Sequence, residues 1–193
     1  MRTDQRITTA MTELLRRQGY AATGIQQLAE ASGAPVGSIY HHFKGGKRAV
    51  AHRALEESGA AYLELLVLLL GRYDDPVAGI EGVFADAAET IESTGWANLC
   101  PVGTVLGEVA DVEPELRAAG DRVIASWIEA GTEHYERCGL SGPDARSFVY
   151  ALVAGLEGAF ILARAQRSRE PLLAAGRVLA GSLAALLATA RPG

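Results

Sequence analysis

The side chains of this chain that could do chemistry cluster in two places. The first is Ser38-Ile39-Tyr40-His41-His42-Phe43-Lys44, with Lys47 close behind. Hydroxyl, imidazole and ammonium groups at this density offer hydrogen bonds to base edges and charge to phosphates. Metal binding fits poorly, because adjacent His41 and His42 point about 100° apart on a helix while ligand pairs want a spacing of three or four. A phosphate loop also fails: Gly46-Lys47 is followed by Arg48, and His41 stands where the first glycine belongs. The second place is Trp96-Ala-Asn-Leu-Cys-Pro101, an aromatic and a thiol flanking an irregular stretch. Cys100 and Cys138 are the two cysteines. Two distant thiols make neither a disulfide framework nor a zinc set, and suit a reduced, cytoplasmic chain. No nucleophile elbow, His-x3-His pair or glycine-rich nucleotide turn is present, so the reading is a non-enzyme with no cofactor and no metal.

Helices must position these groups. Alanine and leucine dominate and period-two alternation is absent, which predicts an all-α fold of about nine helices. The expected spans are 4–18, 24–31, 35–42, 46–71, 76–94, 103–110, 114–138, 143–167 and 170–189. Asp75-Pro76, Glu113-Pro114, Gly142-Pro143 and Glu170-Pro171 place proline in a first helical turn, where its missing N–H costs nothing. Gly19, Gly33 and Gly139 are placed to end helices in the left-handed conformation. Phe148–Ala163 is apolar or glycine apart from Glu157. It is short for a membrane span and carries a carboxylate, so it is expected as a buried helix of a soluble protein. The polar start of the chain is unlike a signal peptide.

Charge is divided unevenly. Residues 1–53 hold eight Lys and Arg against three Asp and Glu, a net +5; with −5 for the whole chain, the remainder carries −10. A basic head on an acidic body suggests a polyanion partner for the head alone. Within the head, Thr23 is expected to cap a short helix that Gly33 closes, and a second short helix follows at once. That is the pattern of a helix-turn-helix, whose second helix enters the major groove.

Gly37-Ser-Ile-Tyr-His-His-Phe43 followed by Lys47 resembles the TetR family of bacterial repressors, over roughly residues 4–53. Ala34-Pro35, Gly45-Gly46 and Cys100-Pro101-Val102-Gly103 are similar to its branch of lincomycin-resistance-type repressors. The resemblance implies a helix-turn-helix DNA-binding domain over 1–48 and a helical ligand-binding and dimerisation domain over 49–193. It implies phosphate contacts from Thr23, Tyr40 and Lys47, and recognition-helix positions at Gly37, Ser38, Tyr40 and His41. Gln26, Val36 and Lys44 complete the expected DNA-binding set. Many members open the recognition helix with serine and lysine; here Pro35 and Val36 remove a hydroxyl and a charge, and Val36 is suited to a thymine methyl.

In the body, Leu172, Gly176, Leu179, Leu183 and Leu186 recur at helical spacing, as do Phe148, Leu152, Gly155, Ala159 and Leu162. Either they form the core of a monomer or, as the resemblance implies, helices near 143–167 and 170–189 pair two subunits into a homodimer. Tyr62, Phe84, Trp96, Cys100, Trp127 and Phe160 are the expected lining of a site for a small, largely apolar effector. Glu157 stands against either that site or the subunit contact. The function expected is a ligand-responsive repressor binding a near-palindromic double-stranded DNA operator, with no membrane partner. The alternative is a helical small-molecule-binding or carrier protein without DNA binding; an activator is a milder variant.

Overall fold

The computed structural model describes residues 1–97, 99–109 and 111–190. Among these, nine helices and no strand occur: α1 (Thr3–Gln18), α2 (Ile25–Ser32), α3 (Val36–His42), α4 (Gly46–Leu70), α5 (Pro76–Ser93), α6 (Pro101–Val109), α7 (Pro114–Arg137), α8 (Gly142–Gln166) and α9 (Glu170–Ala190). Asn98, inside the expected irregular stretch, and Ala110, the expected last residue of the sixth helix, lie outside the described residues.

Local chemistry explains most of the boundaries. Asp75 accepts a hydrogen bond from the Val77 N–H at 3.0 Å, and Pro76 follows at the first helical position of α5. Ser141 does the same for the Asp144 N–H ahead of α8. α6 starts at Pro101, two residues before the expected Gly103, by the same proline rule. Thr23 does not cap α2. Gly24 holds that position, and the buried Thr23 hydroxyl donates to the Gly19 carbonyl at 2.6 Å. Gly33 closes α2 in the left-handed conformation as expected, whereas Gly19 after α1 has φ 78° and ψ −175°, a mirror-image extended shape.

The chain divides into two compact units, Met1–Tyr62 with Leu99–Ile124, and Leu63–Asn98 with Ala125–Gly193. The first unit joins α1–α3 to the first part of α4 and to α6, which add the apolar surface that three short helices lack. In the first unit Ile7, Met11 and Leu15 of α1 are fully buried, and so are Val50 and Leu55 of α4 and Val105 of α6. Each such side chain contributes roughly 1.5–3 kcal/mol by leaving water.

In the second unit α5, α8 and α9 pack together. Gly176 of α9 lies so close to α5 that an added Cβ would come within 2.7 Å of the Phe84 Cβ. α8 and α9 are each long and apolar enough in composition to cross a membrane. The expectation of a buried helix over Phe148–Ala163 holds for one side only. Phe148, Val149, Ala159 and Ala163 are buried, whereas Tyr150, Ala151, Ala154, Ile161 and Leu162 are exposed.

Candidate nucleic-acid interface and cavity

Seven residues make α3, and one buried side chain, Ile39, anchors it, with Ala34 and Phe43 buried on either side. Gly37, Tyr40 and His41 follow at spacings of three and four, which places them on one face of the helix. All three are exposed, Tyr40 at 51%. Val36 and Ser38 are half-buried beside them, and a Cβ added at Gly37 would meet nothing within 4 Å. The His41 and His42 rings meet edge to face at 5.2 Å, both exposed. Gln26 on α2 and Lys44 beyond α3 are exposed as well. A short helix standing clear of its support, with hydroxyl, imidazole and ammonium groups outward, has the shape and chemistry to enter a major groove.

The seat of this face joins Gly46, Lys47 and Thr23 to Tyr20 and Glu108, two residues that sequence reasoning passed over. Gly46 opens α4 with φ 60°, and a Cβ there would come within 2.8 Å of Tyr40 Cε1. A glycine is therefore needed twice, for its backbone and for the tyrosine ring lying against it. Lys47 is half-buried, with Nζ 4.0 Å from the centre of the Tyr20 ring. Burial lowers its pKa from the usual lysine value, opposed by the negative charge of Glu113 and Glu108. Glu108 of α6 accepts hydrogen bonds from the backbone N–H groups of Tyr20 and Ala21, each at 2.9 Å, and so holds the turn between α1 and α2. Thr23 lies inside this turn, its hydroxyl committed to Gly19, rather than open to solvent. No group of three or more His, Cys, Asp or Glu suited to a metal ion occurs among the described residues.

The second unit encloses a cavity of about 70 Å³ walled by α4, α5, α7 and α8. Leu66 and Val67, Ile80 and Val83, and Leu152 and Val153 make its apolar sides, and no Asp, Glu, Lys or Arg lines it. His134 and Tyr135 bring polar atoms to it from α7. Their rings pack edge to face at 4.9 Å, and Tyr135 meets Phe148 in the same way at 4.8 Å. Burial, then the neighbouring Arg137 charge, lowers the His134 pKa. Burial also pushes the Tyr135 hydroxyl far above the ordinary tyrosine range.

Of the six residues expected around an effector, Trp127 borders this cavity. Phe84 is buried against Gly176 instead. Trp96, with φ 64°, lies just beyond the end of α5 and donates its backbone N–H to the Ile91 carbonyl in the helix's last turn. Tyr62 lies under the Arg16 guanidinium in the first unit. Cys100 is buried at the start of α6, where its carbonyl accepts from the Thr104 hydroxyl. Phe160 is half-buried on α8 and outside the cavity wall. His134 and Tyr135 left a faint signal, two ring residues side by side in the last turns of an amphipathic helix.

An exposed second helix of a helix-turn-helix, on a chain whose described residues form helices and no strand, is the arrangement of a DNA-binding transcription regulator. The bacterial regulatory protein domain of the tetR family matches residues 7–54, and the LmrA/YxaF-like transcriptional regulator C-terminal domain matches residues 76–178. The chain belongs to the TetR family and carries an LmrA/YxaF-like C-terminal domain. It is 29% identical to the HTH-type transcriptional regulator LmrA of Bacillus subtilis over 169 residues, 88% of this chain and 90% of that one. It is 28% identical to YxaF of the same organism, covering 88% of each. The crystal structure of a TetR regulatory protein from Rhodobacter sphaeroides superposes with a TM-score of 0.81 at 26% identity, covering 92% of this chain and 96% of that one.

Proposed function

We propose that the protein is a cytoplasmic homodimeric repressor that binds a near-palindromic operator and is released from it by a small, largely apolar effector. The observation that carries this reading is the outward face of α3, where Gly37, Tyr40 and His41 stand clear of the core. Val36 and Ser38 flank that face, and Gln26, Lys44 and Lys47 supply contacts to the DNA backbone around it. Thr23 serves from within, by fixing the turn that leads into α2.

A dimer is supported by the bare sides of α8 and α9. Ile161 is 60% exposed and Val178 73% exposed, and a Cβ at Gly158 or Gly181 would meet nothing within 4 Å. Large apolar side chains exposed beside open glycines suit a contact site, and a twofold dimer presents two recognition helices to two half-sites. The apolar cavity supports an effector of matching chemistry, which must bind the DNA-free conformation more tightly to cause release.

Selection of bound fragments from genomic DNA tests the reading. An inverted repeat should be enriched, bound by a dimer in sedimentation experiments, with affinity falling steeply as salt rises. Enrichment of no site would favour a carrier protein. Lower transcription after deletion of the gene would make the protein an activator.

A further inference from the structure

Tyr135 is 1% exposed and borders the cavity of the second unit, and its hydroxyl is buried without a hydrogen-bond partner among the described residues. A buried hydroxyl left unpaired is costly and uncommon in a folded protein, and it calls for a reason. Around it the wall is aliphatic, apart from the Trp127 indole and the His134 imidazole, and carries no ionised side chain. A charged compound entering here would lose its hydration with nothing to replace it. An apolar compound with one oxygen would bury its skeleton against leucine and valine and give the tyrosine its missing bond.

We propose that the cavity takes a neutral, largely apolar small molecule, aromatic or aliphatic, that carries an oxygen hydrogen-bonded to the Tyr135 hydroxyl. This specifies the chemistry of the effector in the function proposed above, and rests on that reading only for the consequence of binding. His134 is a neutral neighbour in the same wall, since burial and Arg137 both disfavour its charged form. The cavity of about 70 Å³ is roughly half the volume of about 150 Å³ that holds benzene in an engineered apolar cavity, so a single-ring compound enters only as the side chains of the wall move apart, and larger ones are disfavoured.

Three single-ring probes separate the terms: phenol and toluene, which match in size, and the anion benzoate. Their binding to the full-length protein can be followed by NMR-detected titration, for the natural protein, Tyr135→Phe and the cavity-filling Val153→Trp. Phenol and toluene should bind the natural protein, benzoate should not, and both should lose binding to Val153→Trp. In Tyr135→Phe the ratio of phenol to toluene affinity should fall about five-fold, the size of one net hydrogen bond, with toluene affinity held. Circular dichroism reports whether each variant is folded; Tyr135→Phe removes only an unpaired oxygen, so it should melt no lower than the natural protein. An unchanged ratio, competition by benzoate, or binding that survives Val153→Trp overturns the assignment. Operator affinity measured with the same probes is a separate readout. Phenol that binds through Tyr135 yet leaves operator affinity untouched would sustain the assignment while counting against release by that compound.

Discussion

The Lys47 ammonium lies 4.0 Å from the centre of the Tyr20 ring, so a residue expected to meet DNA is oriented by an aromatic in the turn after α1. The ring face attracts the cation and restricts its long stem, leaving less freedom to lose when a phosphate arrives. Lys47→Ala should weaken operator binding similarly for all sequences and reduce the slope of log affinity against log salt by about 1. Titrations at four salt concentrations would check this, and an unchanged slope would remove Lys47 from the phosphate contacts. Tyr20→Leu should produce a smaller loss of affinity with the slope preserved.

Gly46→Ala tests the seat of Tyr40. A left-handed conformation at a residue with a Cβ costs roughly 1–2 kcal/mol, and here the Tyr40 ring must also move. For a protein of this length, melting should drop by about 2–4 °C per kcal/mol. Operator affinity should fall beyond what lost stability explains, because the displaced ring belongs to the face of α3 proposed to meet DNA. A variant with natural affinity would show that the position of Tyr40 is immaterial.

Glu108→Ala should act locally. Without the carboxylate, the Tyr20 and Ala21 amides lose their acceptor, and their hydrogen exchange should quicken at least about ten-fold while the α4 amides keep theirs. Gly19 is tied to the same contact, since a Cβ there would run into the Glu108 carboxylate. Exchange at residues 20 and 21 as slow as in the natural protein would show that the turn holds without α6.

Acid should weaken the fold through His134. Its folded pKa lies below the ordinary histidine value, so the unfolded chain takes up a proton first as pH falls. Stability is then fully present above about pH 6.5 and declines below it, until the folded-state pKa is also passed. Denaturant melts between pH 7.5 and pH 5 should show this decline, and His134→Gln should flatten part of it. An identical pH profile in the variant would assign the effect to other groups.

Helix positions were legible in the sequence because proline and capping residues announce them. The same chemistry that placed α5, α7, α8 and α9 also places α6 at Pro101, where the expectation began two residues late. The outward residues of α3 were legible from their type and spacing. Their supports were not, because Glu108 is separated by 88 residues from the Tyr20 amide it binds, and no periodic pattern encodes such a meeting. Thr23 was read as a cap since threonine before a short helix commonly is one, but its hydroxyl found a closer partner in Gly19. The cavity residues were hardest to find. Aromatic type suggested Phe84, Trp96 and Phe160, yet a cavity wall is chosen by how helices cross, and Gly131, beside Val149, sets part of that crossing.

The bare sides of α8 and α9 bear on gene dosage. If these sides pair two subunits as proposed, DNA-competent protein scales with the square of subunit abundance when subunits are scarce, and linearly once they pair. Halving expression in a sparse cell would then remove about three-quarters of the active species, a threshold that no feature of α3 could supply.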